Sequence, residues 1–125
     1  MSNRRGALSG IRVLDLTRVM SGPYASAMLA DLGAEVLKIE SIGSGDLSRL
    51  FGPHVGDESA YALMLNRGKE SLTVDLKHEA GRKLILDLAA KSDVVIENFR
   101  PGVAARLGLD YDGVKVVNAK IIYAS

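Results

Sequence analysis

The sequence predicts an α/β fold: a parallel sheet of about five strands with helices on both faces. Three observations carry this. Short apolar runs alternate with helical stretches along the chain, the pattern of doubly wound sheets. The run Val13-Leu14-Asp15-Leu16 is followed by Ser21-Gly22-Pro23, whose residues suit a helix start. That helix leads to a second apolar run, so Arg12 to Glu40 reads as one βαβ unit.

In chain order, Met1 to Ser9 is expected to be a loose lead-in. Val13, Leu14 and Leu16, with Asp15 among them, suit a strand buried on both faces. In the helix that follows, Ala25, Met28, Leu29 and Leu32 fall at helical spacing and predict its apolar inner face. Gly33 is a natural stop, because the residue after a helix often needs a positive φ. Val36, Leu37 and Ile39 make the second strand, ending at Glu40. Ser41 to Glu58 carries Gly43, Gly45, Gly52, Pro53 and Gly56 and reads as a long loop. Loops of that length in compact domains are often functional.

Ser59 to Asn66 is helix-like, with Tyr61, Leu63, Met64 and Leu65 as its apolar surface. Arg67-Gly68-Lys69 is a polar turn. Leu72 to Leu76 reads as a third strand near an edge of the sheet. His78 to Ser92 is the clearest helix, its inner face made by Leu84, Ile85, Leu88 and Ala89. Asp93 to Ile96 is a fourth strand. Short helices follow at Val103 to Leu107 and Tyr111 to Asn118, and Ile121 to Ala124 is a fifth strand. The last strand stops one residue before Ser125, where the next loop at the carboxyl edge of the sheet would begin. The expectation is a single domain over residues 1–125 that is a fragment of a longer enzyme.

The 125 residues are 47% hydrophobic, enough to fill one modest core. Sixteen basic and fifteen acidic residues leave a formal charge of +1. That balance argues against nucleic acid and against an anionic membrane surface as partners. No run approaches the roughly 20 apolar residues needed to span a bilayer. The first ten residues carry arginines but no apolar stretch behind them, unlike a secretory signal. With no cysteine, disulfides, thiolate zinc sites and a cysteine nucleophile are excluded. A cytoplasmic protein is expected.

The residues that could carry chemistry gather after the strands. The loop Thr17 to Pro23 precedes a helix N-terminus and suits an anion. It lacks G-x-G-x-x-G, so the dinucleotide fingerprint is absent, although Glu40 stands where a ribose-binding acid would. The alternative is that Gly22 and Pro23 simply shape a tight turn. Lys69, Arg67 and Lys77 could reach phosphates or could be a solvated turn. Asp75 is unusual for a strand and is expected to face solvent or pair with a lysine. Glu97 to Gly102 sets an amide, an aromatic ring and a guanidinium side by side, which suits a nucleotide or a polar helix entry. Arg106, one turn on, could join this set. His54 and His78 have no second ligand at metal spacing, so no metal site is expected. No nucleophile elbow is present.

Taken together, these stretches resemble a known family. They are Val13-Leu14-Asp15-Leu16-Thr17 running on to Gly22-Pro23; Leu32 to Val36 with Lys38-Ile39-Glu40; Gly45-Asp46; Asn66 to Lys69 with Leu72 to Lys77; and Glu97 to Gly102. From about Leu8 onward the chain resembles the N-terminal part of family III CoA-transferases, the CaiB–BaiF group, which includes formyl-CoA transferase, carnitine CoA-transferase and α-methylacyl-CoA racemase. The resemblance implies a Rossmann-like domain that binds coenzyme A as acyl carrier. It implies CoA contacts at Val19 and Met20, at Val74, Asp75, Leu76 and Lys77, at Asn98, Phe99 and Arg100, and at Arg106. The chain departs from the family at Ser41, where some members carry arginine, and at Glu70, where a basic residue is common.

The resemblance also implies a reaction. The enzyme would move CoA between an acyl-CoA and a small carboxylic acid through an aspartyl acyl-enzyme intermediate. Its nucleophile would lie downstream of Ser125, so no catalytic residue is expected within this chain. An alternative in the same family is a racemase that moves an α-proton with a downstream His and Asp. An alternative of another class is a non-catalytic nucleotide-binding or interaction module. Full-length members form interlocked homodimers.

Overall fold

The computed structural model describes residues 6–125, so the first five residues of the expected lead-in lie outside the described residues. The order of elements is β1 (Arg12–Asp15), α1 (Ser21–Asp31), β2 (Glu35–Glu40), a 3-10 turn (Leu47–Leu50), β3 (His54–Val55), β4 (Glu58–Ser59), α2 (Ala60–Asn66), β5 (Glu70–Thr73), α3 (Glu79–Ala89), β6 (Val94–Ile96), α4 (Val103–Leu107), α5 (Tyr111–Val117) and β7 (Ile122–Ala124). The expected Leu72–Leu76 strand is shifted toward the N-terminus: it starts at Glu70 and ends at Thr73. The expected long loop is a loop only in part. It holds the 3-10 turn and the antiparallel pair β3–β4, and the buried Ser59 hydroxyl ties β4 back to the carbonyls of Ser48 and Phe51.

Five parallel strands form the main sheet in the order β5-β2-β1-β6-β7. The chain runs outward from β1 through β2 to β5, then crosses to the other side of β1 for β6 and β7. The order therefore reverses between β1 and β6, and loops leaving those two strands diverge. β5 lies at an edge, as its alternating sequence predicts.

Alternation along the strands divides the core. Leu14, Leu16, Ile39 and Val95 point to one face and pack with Ile85 and Ala89 of α3 and with Leu109, Val114 and Ile121. Val13 and Val36 point to the other face, where Ala30 and Ala34 cover them. On α3, Ile85 and Ala89 are buried as expected and Leu88 is partly so, but Leu84 turns outward and is 42% exposed.

The inner face of α1 differs from the expected one. Met28 and Leu32 are both 49% exposed, and the helix buries Gly22, Pro23, Ser26, Ala27 and Ala30 instead. The small residues let the helix lie close to the sheet, over side chains that are polar rather than apolar. Asp15 and Lys38 are register partners on this face, two residues along their strands from Val13 and Val36. Gly33 ends the helix with φ +102, a conformation a side chain would resist.

Candidate functional site at the strand tips

Beneath α1 the sheet carries two buried ion pairs. The Lys69 Nζ lies 3.0 Å from Asp15 Oδ2, with side chains 1% and 0% exposed. The same carboxylate accepts from the Thr17 amide at 2.9 Å and from the hydroxyls of Thr17 and Ser26 at 2.5 Å each. Lys69 also donates to the Pro23 carbonyl at 2.8 Å. It is thus neither a phosphate ligand nor a solvated turn residue: its charge is consumed inside the fold. Burial lowers its pKa, and Asp15 opposes that shift.

The second pair joins Lys38 Nζ to Asp46 Oδ2 at 2.9 Å, and Lys38 also donates to the Thr17 carbonyl at 2.8 Å. Asp46 accepts from the Ser48 amide at 2.9 Å, capping the 3-10 turn, and from the Val19 amide at 3.1 and 3.3 Å. Burial alone would raise the Asp46 carboxyl. The Ser48 amide, the Lys38 ammonium and the Val19 amide outweigh it and hold the group below its ordinary value.

Glu40, a candidate ribose acid on sequence grounds, is likewise committed. It accepts from Arg49 at 2.9 and 2.6 Å, from Ser71 at 2.8 Å and from the Asp46 amide at 2.9 Å. The Arg49 guanidinium, against the cost of burial, brings its pKa down from 4.5 to about 2. A carboxylate with a lowered folded-state pKa stabilises above its unfolded value, and that contribution is lost as pH falls through the folded one. Because Arg49 is 40% exposed, solvent screens the pair, and its worth is about 1–2 kcal/mol. Thermal unfolding of wild type and Glu40→Gln should therefore differ at pH 6 and converge as pH drops from 4.5 toward 2. A constant gap across that range would contradict the assignment.

These anchors shape the β1–α1 loop. Thr17 is bonded to Asp15 and Lys38, and the Arg18 amide donates to Asn98 Oδ1 at 2.8 Å while Asn98 Nδ2 donates to the Arg18 carbonyl at 2.9 Å. This reciprocal amide clamp ties the loop after β1 to the loop after β6, across the point where strand order reverses. Val19 then adopts φ +74, the one non-glycine residue with positive φ among the described residues. For a β-branched side chain this is a steric outlier costing about 1–3 kcal/mol. The chain enters α1 from there with no side-chain cap.

A narrow cleft opens at these tips, lined by Leu16, Arg18, Ile39, Glu40, Val74, Leu76 and Phe99. The Arg18 guanidinium sits over the Phe99 ring, 5.5 Å from its centroid. The Phe99 amide donates to Glu97 at 2.7 Å, which fixes the corner that carries the ring. Of the expected CoA contacts, Val74, Leu76 and Phe99 meet in this cleft. Asn98 forms its clamp. Val19 and Met20 continue the Arg18 loop, Met20 being 60% exposed. Asp75 lies past the end of β5, half-buried, where it accepts from the Lys77 amide at 2.8 Å. Lys77, Arg100 and Arg106 are exposed on the segments that follow β5 and β6.

Sequence reading gave no role in the site to three residues of this rim, although Lys38 and Asp46 stand in the stretches that carry the resemblance. Arg18 is hidden in a loop read for its backbone. Lys38 looks like an interruption in an apolar strand, and Asp46 like one more loop acid. The available signal was a lysine and an aspartate at central positions of two adjacent buried strands, which need partners. A second hollow, under α2, is lined by Arg49, Asn66, Arg67 and Ser71 among others. Its arginines are engaged by Glu40 and Asp31. Among the described residues there is no cluster of metal-ligating side chains and no helix long and apolar enough to cross a membrane.

Fold and site together define a doubly wound α/β domain with its cleft at the topological switch point. The chain belongs to CoA-transferase family III, whose model matches residues 8–125. It is 48% identical over 121 residues to the acetyl-CoA:oxalate CoA-transferase of Acetobacter aceti, covering 97% of this chain and 31% of that protein. It is 48% identical over 119 residues to human succinyl-CoA:glutarate CoA-transferase, covering 94% of this chain and 27% of that one. A crystal structure of a CaiB/BaiF family protein from Brucella suis superposes with a TM-score of 0.88 at 43% identity, over 94% of this chain and 32% of that one. The chain thus spans about a third of the length of the relatives it matches.

Proposed function

We propose that this domain binds coenzyme A at the switch-point cleft, as the nucleotide-binding part of a CoA-transferase. The observation that carries the reading is the joining of Arg18, Phe99, Val74 and Leu76 around one cleft in a chain of this family. An adenine ring suits the exposed face of the Arg18–Phe99 pair at the mouth of the cleft. Lys77, Arg100 and Arg106 supply cations for the phosphates, and the pantetheine arm passes Val19 and Met20. The whole enzyme moves CoA between an acyl-CoA and a carboxylic acid. The names of the relatives, which act on oxalate and glutarate, favour a small dicarboxylate. The aspartate that forms the acyl-enzyme belongs to sequence beyond these residues, and those names favour transfer over racemisation.

The working form in this reading is a cytoplasmic homodimer. Tyr24 and Met28 on α1, Leu32 just past its end, and Leu63 and Met64 on α2 are each about half exposed, and they offer apolar surface for the partner or the remainder of the enzyme.

Calorimetric titration of the chain with CoA tests the reading. Binding is expected, with Arg100→Ala and Arg106→Ala each weakening CoA by roughly five- to tenfold and leaving acetyl-pantetheine unchanged. A folded chain that gives no heat with CoA refutes it. Equal losses for both ligands remove the two arginines from the phosphate site.

A further inference from the structure

We infer that Asp46 is a positioning residue for the ligand rim: with Lys38 it holds Val19 in its left-handed conformation and so aims the β1–α1 loop at the carrier's pantetheine end. The inference rests on the CoA reading above and adds a residue to it that makes no ligand contact of its own.

Three observations support it. First, nothing local favours φ +74 at a valine, so the surroundings must impose it. Second, the contact that imposes it is identifiable. The Val19 amide turns inward to both Asp46 oxygens, while the neighbouring Arg18 turns outward to Asn98. Third, Asp46 is itself immobilised. It is 2% exposed, paired with Lys38, and bonded to the Ser48 amide. Its own amide is held by Glu40. Lys38 completes the frame by binding the Thr17 carbonyl, two residues before Val19. The ion pair thus grips the loop on both sides of Arg18. A purely structural pair between β2 and the following loop would not need to reach the β1 loop at all.

The test compares wild type with Lys38→Met/Asp46→Leu, which removes both charges together and avoids a lone buried ion. Asp46→Asn is the companion variant should the double one not fold; it keeps one acceptor and loses the charge. Two readouts are taken. Amide exchange and the amide-to-Hα coupling at Val19 report its conformation without any ligand. Calorimetry reports affinity for CoA and for its adenosine bisphosphate half. The double variant should lose protection and the positive-φ coupling at Val19. It should bind CoA roughly tenfold more weakly and the adenosine bisphosphate within about twofold of wild type. Asp46→Asn should show the same pattern to a smaller degree.

Retention of the positive-φ coupling in the charge-free variant overturns the inference, as does an equal loss for both ligands. Unchanged CoA affinity with a relaxed Val19 overturns it while leaving the CoA reading intact. A wild-type chain that binds neither ligand overturns both.

Discussion

Replacing Lys69 with alanine should destabilise the fold by about 3–5 kcal/mol, a large part of what a domain of this size possesses. The reason is the carboxylate left behind. Asp15 is fully buried under α1, and after the loss of Lys69 it keeps only the Thr17 and Ser26 donors. The Pro23 carbonyl loses its partner as well. The cost belongs to the orphaned charge and not to the pair. Asp15→Asn/Lys69→Met should then recover more than half of it, because neutral groups of similar size tolerate burial far better. Urea unfolding midpoints of the single and double variants measure both effects. A double variant no better than Lys69→Ala would show that the ion pair itself, rather than the avoided penalty, holds the helix down.

Gly22→Ala should cost about 2 kcal/mol net despite improving helix propensity. A Cβ at this position would overlap the buried Thr17 side chain at both Cβ and Cγ2. Propensity favours alanine by up to about 1 kcal/mol, and overpacking of a filled site costs about 1–3 kcal/mol. The upper end applies here because Thr17 cannot move: its hydroxyl and amide bind Asp15 and its carbonyl binds Lys38. Tyr24→Ala on the same helix, half exposed, should change stability by no more than about 1 kcal/mol. Comparable denaturation midpoints for Gly22→Ala and wild type would mean that the helix start slides away freely.

The fold was legible from the order of apolar runs and turn residues. β1 and β2 form where the apolar runs that begin at Val13 and Val36 are bounded by breakers, and β6 follows the same rule. What periodicity could not show was which way α1 faces. Spacing arguments select the largest apolar residues, here Met28 and Leu32. The sheet below is polar at its carboxyl end, so a close-fitting helix of Ser26, Ala27 and Ala30 won instead. The same blindness hid Lys38, which reads as a defect in a strand until Asp46 is found beside it. For the site, the corner at Asn98 and Phe99 was readable because amide, ring and cation are adjacent in sequence. The hold of Asp46 on Val19 joins residues 27 apart, and no local pattern announces it.

The clamp between Arg18 and Asn98 has an asymmetry that bears on protein engineering. One half of it is main chain, so any residue but proline at position 18 can supply it. The other half is a primary amide that must both donate and accept, a demand leucine, serine or aspartate cannot meet in that shape. Position 18 is therefore open to redesign, and saturating it would retune what lies against Phe99 without loosening the junction. Position 98 offers no such latitude.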